Sequence, residues 1–152
     1  MASKSTLAGL FDDLVRCETR LYNAATDRLR ERHGIVTSQF EVLRFVRDHP
    51  GARVADLSAT FAIGIGAASK GVDRLEQRGW VARQANPADR RSSLLTLTDT
   101  GLQLTDEAEK TLDDLLGDLL GELPGGAGDG MPRFFATLRA ALERDQIGMP
   151  TG

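Results

Sequence analysis

The chain has 152 residues, of which 41% are apolar and 27% are charged, and these values fit one globular domain with one core. No apolar run approaches the ~20 residues of a membrane helix, and the N-terminus lacks a secretory signal pattern, so we expect a cytoplasmic protein. One cysteine and two histidines leave little room for a disulfide framework, a zinc site or a catalytic triad. We therefore expect a single domain, residues 1–152, with no metal, no cofactor, no membrane partner and no enzymatic activity.

The net charge of −3 conceals an uneven distribution along the chain. Residues 70–91 carry six basic and three acidic side chains, a local net charge of +3. Residues 99–123 carry eight acidic side chains and one lysine, a local net charge of −7. Exposed charges that lie more than a Debye length apart, ~8 Å at physiological salt, barely interact. An acidic chain can therefore present a local basic face, and we expect an anion to dock at the middle of this chain.

The first predicted element is a long amphipathic helix over residues 6–32. Its apolar residues recur three, four or seven positions apart, and Gly34 is a typical helix stop. At 1.5 Å per residue this helix spans roughly 40 Å, which is too long for a domain of this size to bury completely. The pattern favours a dimerisation helix, and a helix lying across the surface of a monomer is the alternative.

Three shorter helices and a hairpin follow the long helix. The predicted helices cover residues 39–48, 55–61 and 67–78, and residues 62–66 form the turn between the last two. The predicted strands, at 80–84 and 93–98, flank a polar loop at 85–92 that is too long for a tight turn.

Two further helices complete the chain. Thr98 caps a leucine-rich fifth helix that reaches Pro124. Residues 125–130 are rich in glycine and are interpreted as a flexible linker. Pro132 opens a last helix that ends near residue 146.

This order of elements predicts a mainly α fold of the winged helix–turn–helix class. A short helix, a tight turn, a second helix and a two-stranded ribbon are the parts of that motif. The predicted lobe covers residues 37–100. The flanking segments, 6–36 and 101–146, are expected to be N- and C-terminal dimerisation helices.

The wing sequence carries a more specific signal. Residues 86–101, NPADRRSSLLTLTDTG, resemble the wing signature of the MarR family of bacterial transcription regulators, an Asp-x-Arg followed after a short strand by Leu-Thr-x-x-Gly. Residues 73–81, DRLEQRGWV, resemble the end of the family's recognition helix, and residues 37–40, TSQF, resemble the start of its second helix. The likeness covers about residues 7–146. It implies a homodimer that binds a pseudo-palindromic double-stranded DNA operator, most simply as a repressor.

The resemblance implies that the fourth helix reads DNA. A major groove ~12 Å wide admits one helix, and the small residues at 66–69 allow close approach to base edges. Ser69 and Lys70 occupy positions that the family uses for contact, and Arg74, one turn further on, is placed to reach a phosphate. The alternative for Lys70 and Arg74 is a solvated helix face.

The resemblance implies a second DNA contact at the wing. Arg91 resembles the family arginine that enters the minor groove, where a narrow groove concentrates negative potential. We expect Asp89 to pair with Arg91 and hold it extended, and we expect Arg90 to meet a phosphate. The alternative is an ordinary charged hairpin tip.

Most relatives release DNA when a small aromatic or anionic ligand binds between the dimer helices and the DNA-binding lobe. The resemblance therefore implies a small-molecule effector, with Arg16 as the first choice for binding its anion. The residues that would border such a cleft are Arg16, Arg20, Tyr22, His33 and Glu41. Each of them is an ordinary surface or interhelical residue in the alternative interpretation.

Two other functions stay open at this point. One branch of the family senses peroxide through a cysteine in its first helix, but an ungapped alignment places that cysteine near Asp13 rather than at Cys17. We therefore expect Cys17 to be a buried, inert side chain, with a cysteine-based redox regulator as the alternative. A helical protein-interaction adaptor that does not bind DNA is the other alternative, and it gives no reason for steep salt dependence.

Overall fold

The structure, a computed structural model, describes residues 6–121 and 130–151. Within those residues the chain forms six helices and one two-stranded antiparallel sheet, so the mainly α winged helix–turn–helix prediction is confirmed. In chain order the elements are α1 (Leu7–His33), α2 (Thr37–Asp48), α3 (Val54–Phe61), α4 (Ile65–Gln77), β1 (Val81–Ala85), β2 (Ser93–Leu97), α5 (Asp99–Leu120) and α6 (Gly130–Arg144).

Helix α1 has clear signals at both ends. The hydroxyl of Thr6 accepts a hydrogen bond from the Gly9 amide at 3.0 Å, which satisfies one of the donors left over in the first turn. Gly34 ends the helix in the left-handed conformation, with φ of 68°, and its amide donates to the carbonyl of Arg30. Only the second half of α1 enters the core, through Ala25 and Leu29.

The core is built around leucines, one from each of five elements. Each is at most 1% exposed, so each contributes about 1.5–3 kcal/mol by leaving water. These leucines are Leu29 of α1, Leu43 of α2, Leu57 of α3, Leu75 of α4 and Leu95 of β2. The two strands and the helix–turn–helix therefore share one core with the end of α1.

The wing is a hairpin whose base is fixed to the rest of the lobe. Strand β1 pairs antiparallel with β2, with Val81 opposite Leu97 and Arg83 opposite Leu95. The amide of Leu95 also donates to the carbonyl of Ala52 at 2.7 Å, across a bridge between β2 and the segment that follows α2. This bridge places a one-residue strand segment beside β2 and so fixes the base of the wing to the rest of the lobe.

Ion pairs and hydrogen bonds attach α2 to α5. The guanidinium of Arg47 on α2 donates to Asp106 at 3.0 Å and to Glu109 at 2.8 Å, both on α5, and to its neighbour Asp48 at 2.9 Å. Arg44, one turn earlier, shares Glu109 at 3.0 Å. Because the Arg47 side chain is only 18% exposed, solvent weakens this cluster less than it weakens an ordinary surface pair.

The boundaries differ from the prediction by one or two residues at several places. Helix α4 begins at Ile65 rather than at residue 67, because Ala62 adopts φ of 51° and turns the chain within three residues. Trp80 precedes β1 instead of opening it, and its amide donates to the carbonyl of Leu75 at 3.1 Å. Helices α2 and α6 each begin two residues earlier than predicted, and α6 ends at Arg144.

Most of the linker predicted at 125–130, and the approach of α5 to Pro124, lie outside the described residues, while Gly130 is the first residue of α6. Among the helices of residues 6–121 and 130–151, none has the length and apolar character needed to cross a membrane.

Two of the flanking helices expose much of their apolar surface. In α1 the exposed apolar side chains lie in the first half, where Leu7 is 84% exposed and Phe11 is 66% exposed. Phe134 of α6 is 58% exposed, and within the described residues no side chain of α6 is buried. Isolated apolar residues are normal on a surface, but a continuous stripe of them marks an interaction site.

Gly101 lies where α5 crosses the backbone of Trp80. A Cβ added at Gly101 would meet the Trp80 carbonyl oxygen at 2.0 Å, whereas a Cβ at Gly117 of the same helix meets nothing within 4 Å. We expect Gly101→Ala to lower the free energy of unfolding by ~1–3 kcal/mol or more, through overpacking. The matched Gly117→Ala change should raise it by ~0.5–1 kcal/mol through helix propensity. Denaturant unfolding at equal protein concentration checks both, and shifts of the same sign would contradict this view of the contact.

Candidate DNA-binding interface

The turn between α3 and α4 is held by hydrogen bonds of its own. The hydroxyl of Ser58 donates to the carbonyl of Ile63 at 2.6 Å, and the amide of Ile63 donates to the carbonyl of Ser58 at 3.2 Å. Gly64 follows in an extended conformation and serves as the N-cap of α4. The angle between the two helices is therefore set by the backbone around Ala62.

Helix α4 has one buried and one exposed face. Ala68, Val72 and Leu75 recur at spacings of four and three and enter the core. The side chains of Lys70 and Arg74 are exposed, and Ser69 is half-buried at the boundary between the two faces. The structure thus places the three residues predicted for DNA contact on or beside the solvent face of one helix.

The start of α4 is open. Gly66 and Ala67 are exposed, and a Cβ added at Gly66 would meet nothing within 4 Å. The N-terminus of a helix carries unpaired amides and a partial positive charge, which favour an approaching phosphate. A duplex can therefore come close to the backbone here without a steric obstacle.

The wing tip is ordered by side-chain bonds to its backbone. Asn86 accepts from the amide of Ala88 at 3.0 Å and donates from its own amide group to the hydroxyl of Ser92 at 3.0 Å. The carboxylate of Asp89 accepts from the amide of Arg91 at 2.9 Å. Such Asx turns fix a short loop locally, without a core of its own.

The predicted pairing of Asp89 with the side chain of Arg91 is wrong. Asp89 accepts from the backbone of Arg91, because a carboxylate two residues earlier in a turn lies closest to that amide. Within the described residues, the guanidinium groups of Arg90 and Arg91 have no carboxylate within ion-pair distance. Both arginines are exposed, and Asp89 shapes the loop that presents them.

Sequence reasoning missed Arg83 as part of this surface. Arg83 lies on β1, and its Nη2 donates to a carboxylate oxygen of Asp73 on α4. Its Nε lies 3.7 Å from a carboxylate oxygen of Glu76, one turn further along α4. The contact depends on the register of the hairpin, which no spacing in the sequence reports.

Comparisons with known proteins agree with this geometry. The model of the MarR family matches residues 35–93, which contain α2, α3, α4 and the wing. The multiple antibiotic resistance protein MarR of Salmonella typhimurium is 29% identical over 113 residues, which are 70% of this chain and 78% of that protein. The chain is therefore similar to MarR-family transcription regulators over α2, the helix–turn–helix and the wing, and members of this family are generally not enzymes.

Solved MarR-family structures have the same fold. The transcriptional repressor CouR bound to a 23-mer DNA duplex has a TM-score of 0.71 and 26% identity, covering 90% of this chain and 92% of that chain. CouR from Rhodococcus jostii RHA1 bound to p-coumaroyl-CoA has a TM-score of 0.72 and 23% identity, with 100% of both chains covered. Dimerisation is typical of the family.

The residues predicted to border a ligand cleft fall into separate places. Tyr22 of α1 lies near Glu41 of α2, and Glu18 lies near both. Burial, and then the charge of Glu18, raises the pKa of Glu41. Burial, and then the charge of Glu41, raises the pKa of Tyr22, and a hydrogen bond with Ser38 opposes this. These surroundings therefore favour the protonated forms of Glu41 and Tyr22.

The three basic candidates lie away from Tyr22 and Glu41. Arg16 pairs with Asp12 at 3.1 Å on the exposed half of α1. Arg20 stands about 200° around the helix from Tyr22, at 3.6 residues per turn, and is exposed as well. His33 forms a hydrogen bond with the hydroxyl of Thr111 at 2.7 Å and links α1 to α5. Within one chain, the structure brings together Tyr22 and Glu41 alone.

The prediction of a buried Cys17 is wrong, because Cys17 is exposed. It lies in the first half of α1, where every residue from 7 to 20 is exposed. The expectation of burial rested on the usual behaviour of a free cysteine as a small apolar side chain, and that tendency does not show which part of a helix packs within its own chain.

Glu41 and Asp48, both on α2, should respond to pH with opposite signs. The raised pKa of Glu41 means that its ionised form weakens the folded state at neutral pH. We expect Glu41→Gln to stabilise the protein at pH 7 and to have no effect well below the ordinary value of 4.5. Stability curves of both forms across this range, measured by denaturant unfolding, check this.

Asp48→Asn is the control of opposite sign. A hydrogen bond from Arg47 lowers the pKa of Asp48, so this carboxylate stabilises the fold above the ordinary value of 3.8, and that contribution is lost as the pH falls below it. We expect Asp48→Asn to destabilise the protein at pH 7 and to matter less in acid. A Glu41→Gln variant that loses stability at pH 7 would show that the carboxylate is satisfied in the folded state.

Proposed function

We propose that this protein is a MarR-family regulator, a homodimer that binds a pseudo-palindromic DNA operator and represses transcription from it. The observation that carries the proposal is the pairing of two basic elements, the exposed face of α4 and the tip of the wing. They are tied side by side by the contact of Arg83 with Asp73. A helix for the major groove beside a ribbon for the minor groove is a known way to read one half-site.

The two elements divide the work of recognition. Ser69 and Lys70, near the open start of α4, contact base edges and so carry sequence information. Arg74 and Arg90 contact phosphates, which position the protein and add salt-dependent affinity. Arg91 enters the minor groove, where its guanidinium meets concentrated negative potential. The exposure of Lys70, Arg74, Arg90 and Arg91 supports this assignment.

The apolar surface of α1 and α6 supports the dimer. Side chains such as Phe11 and Phe134 stand in solvent in one chain and need a partner surface. A second copy supplies the same stripe, so a two-fold axis closes the interface. Residues 6–36 and 101–146 then form the dimer, and two lobes at 37–100 hold their recognition helices ~34 Å apart, one turn of DNA.

The effector in this proposal is a small aromatic or anionic molecule. Tyr22 and Glu41 supply a ring surface and a hydrogen-bond acceptor, but the neighbouring acidic side chains repel a carboxylate. In this proposal an anionic group is instead bound by Arg16, with Arg20 beside it, on the exposed part of α1 that lies away from Tyr22 and Glu41. The hydrogen bond of His33 with Thr111 joins α1 to α5, and α5 belongs to the proposed C-terminal dimer segment.

Arg91→Ala should weaken operator binding by ~1–3 kcal/mol while the dimer stays intact, because one minor-groove contact is lost. Asp89→Ala should weaken it less, since only the shape of the loop changes. Arg32→Ala, an exposed arginine at the end of α1, is the matched control for loss of charge and should bind normally. Fluorescence anisotropy at stated salt measures affinity, and light scattering should give twice 16.4 kDa.

An unchanged affinity in both wing variants would remove the wing from the interface. Binding that does not fall steeply with added salt would favour the protein-interaction adaptor instead.

On α4, Ser69→Ala and Lys70→Ala should reduce discrimination between operator variants, whereas Arg74→Ala should weaken binding to all sequences alike.

Release of DNA by the effector should depend on the positive charge of Arg16 on α1. We expect benzoate or a phenolic acid to lower operator affinity of the wild type, because a ligand that prefers the non-binding conformation shifts the population toward it. Arg16→Ala should keep its DNA affinity and resist release, and Arg32→Ala should behave as the wild type. Release by peroxide that Cys17→Ser abolishes would support the redox regulator instead.

A further inference from the structure

We propose that Arg83 is a positioning residue for sequence discrimination: it fixes α4 relative to the wing so that both fit one half-site together. The proposal rests on the DNA-binding function proposed above. Arg83 lies in the middle of β1, opposite Leu95, and its side chain is 27% exposed. From there its guanidinium reaches across to α4, and so it joins the two elements that would contact DNA.

The geometry of this contact is specific to a guanidinium. Nη2 donates to Asp73, while Nε is buried, lies 3.7 Å from Glu76, and has no hydrogen-bond partner within the described residues. Asp73 and Glu76 are three residues apart and therefore share one face of α4. A planar fork held by Asp73 on one side resists rotation of α4, whereas a lysine ammonium would act only as a point charge.

Asp73 is otherwise an unfavourable residue for this surface. It follows Lys70 by three residues and precedes Arg74, so its carboxylate lies among the proposed DNA contacts. A negative charge there repels phosphates and opposes binding. If charge alone matters, replacing Asp73 with a neutral residue should raise the affinity for DNA. If Asp73 holds Arg83 in place, the same change should lower the preference for operator over random DNA.

Asp73→Asn and Glu76→Gln form a matched pair of variants that separates these effects. Both remove one exposed carboxylate from the same face of α4, but only Asp73 accepts a hydrogen bond from Arg83. The measured quantity is the ratio of affinities for an operator fragment, recovered from genomic DNA with the purified protein, and for a random duplex of equal length. Melting temperature and dimer mass are measured on the same samples.

We expect Glu76→Gln to bind both duplexes more tightly and to keep the ratio. In Asp73→Asn and in Arg83→Lys, the ratio of operator affinity to random-duplex affinity should fall about tenfold, which is the scale of one charge-assisted hydrogen bond. The dimer mass should stay unchanged. An Asp73→Asn variant that gains the same factor on both duplexes would overturn the proposal, and so would an Arg83→Lys variant with a wild-type ratio. A wild type that does not distinguish the two duplexes would instead refute the sequence-specific operator binding proposed above.

Discussion

The DNA-facing side of this protein depends on how α4 packs. Ala68, Val72 and Leu75 are buried in the common core, and the same rotation of the helix turns Lys70 and Arg74 toward solvent. Turning α4 by one residue, about 100°, would carry charged side chains toward the core, and burying an unpaired charge is very costly. The directions of the proposed contact residues are therefore fixed by the apolar residues between them.

Contacts between helices also fix the position of the lobe relative to the flanking helices. Arg47 of α2 pairs with Asp106 and Glu109 of α5, so the lobe is attached through α2 to the helix that leads away from the wing. Helix α1 enters the core only through its second half and leaves apolar side chains such as Phe11 in solvent. If those side chains meet a second copy, the attachment of the lobe to α5 sets the distance between the two recognition helices.

Much of this architecture could be predicted from the sequence, because helical periodicity and the wing motif are local signals. The start of α4 was predicted two residues late, since Ala62 adopts a left-handed conformation without the glycine that usually marks one. The bond of Asp89 to the backbone of Arg91 and the contact of Arg83 with α4 depend on loop closure and strand register. Those features appear only once the hairpin is built. Residue types in the site were therefore predictable, and their mutual contacts were not.

Hydroxyl-radical footprinting of the purified protein on a DNA fragment that it selects tests the central claim most directly. A dimer that presents two α4 helices and two wings should protect two patches of the duplex one helical turn apart, related by a two-fold axis, with flanking protection in the minor groove. Arg91→Ala should remove the flanking protection and leave the central patches. Uniform protection along the fragment, or a single patch without two-fold symmetry, would contradict the account.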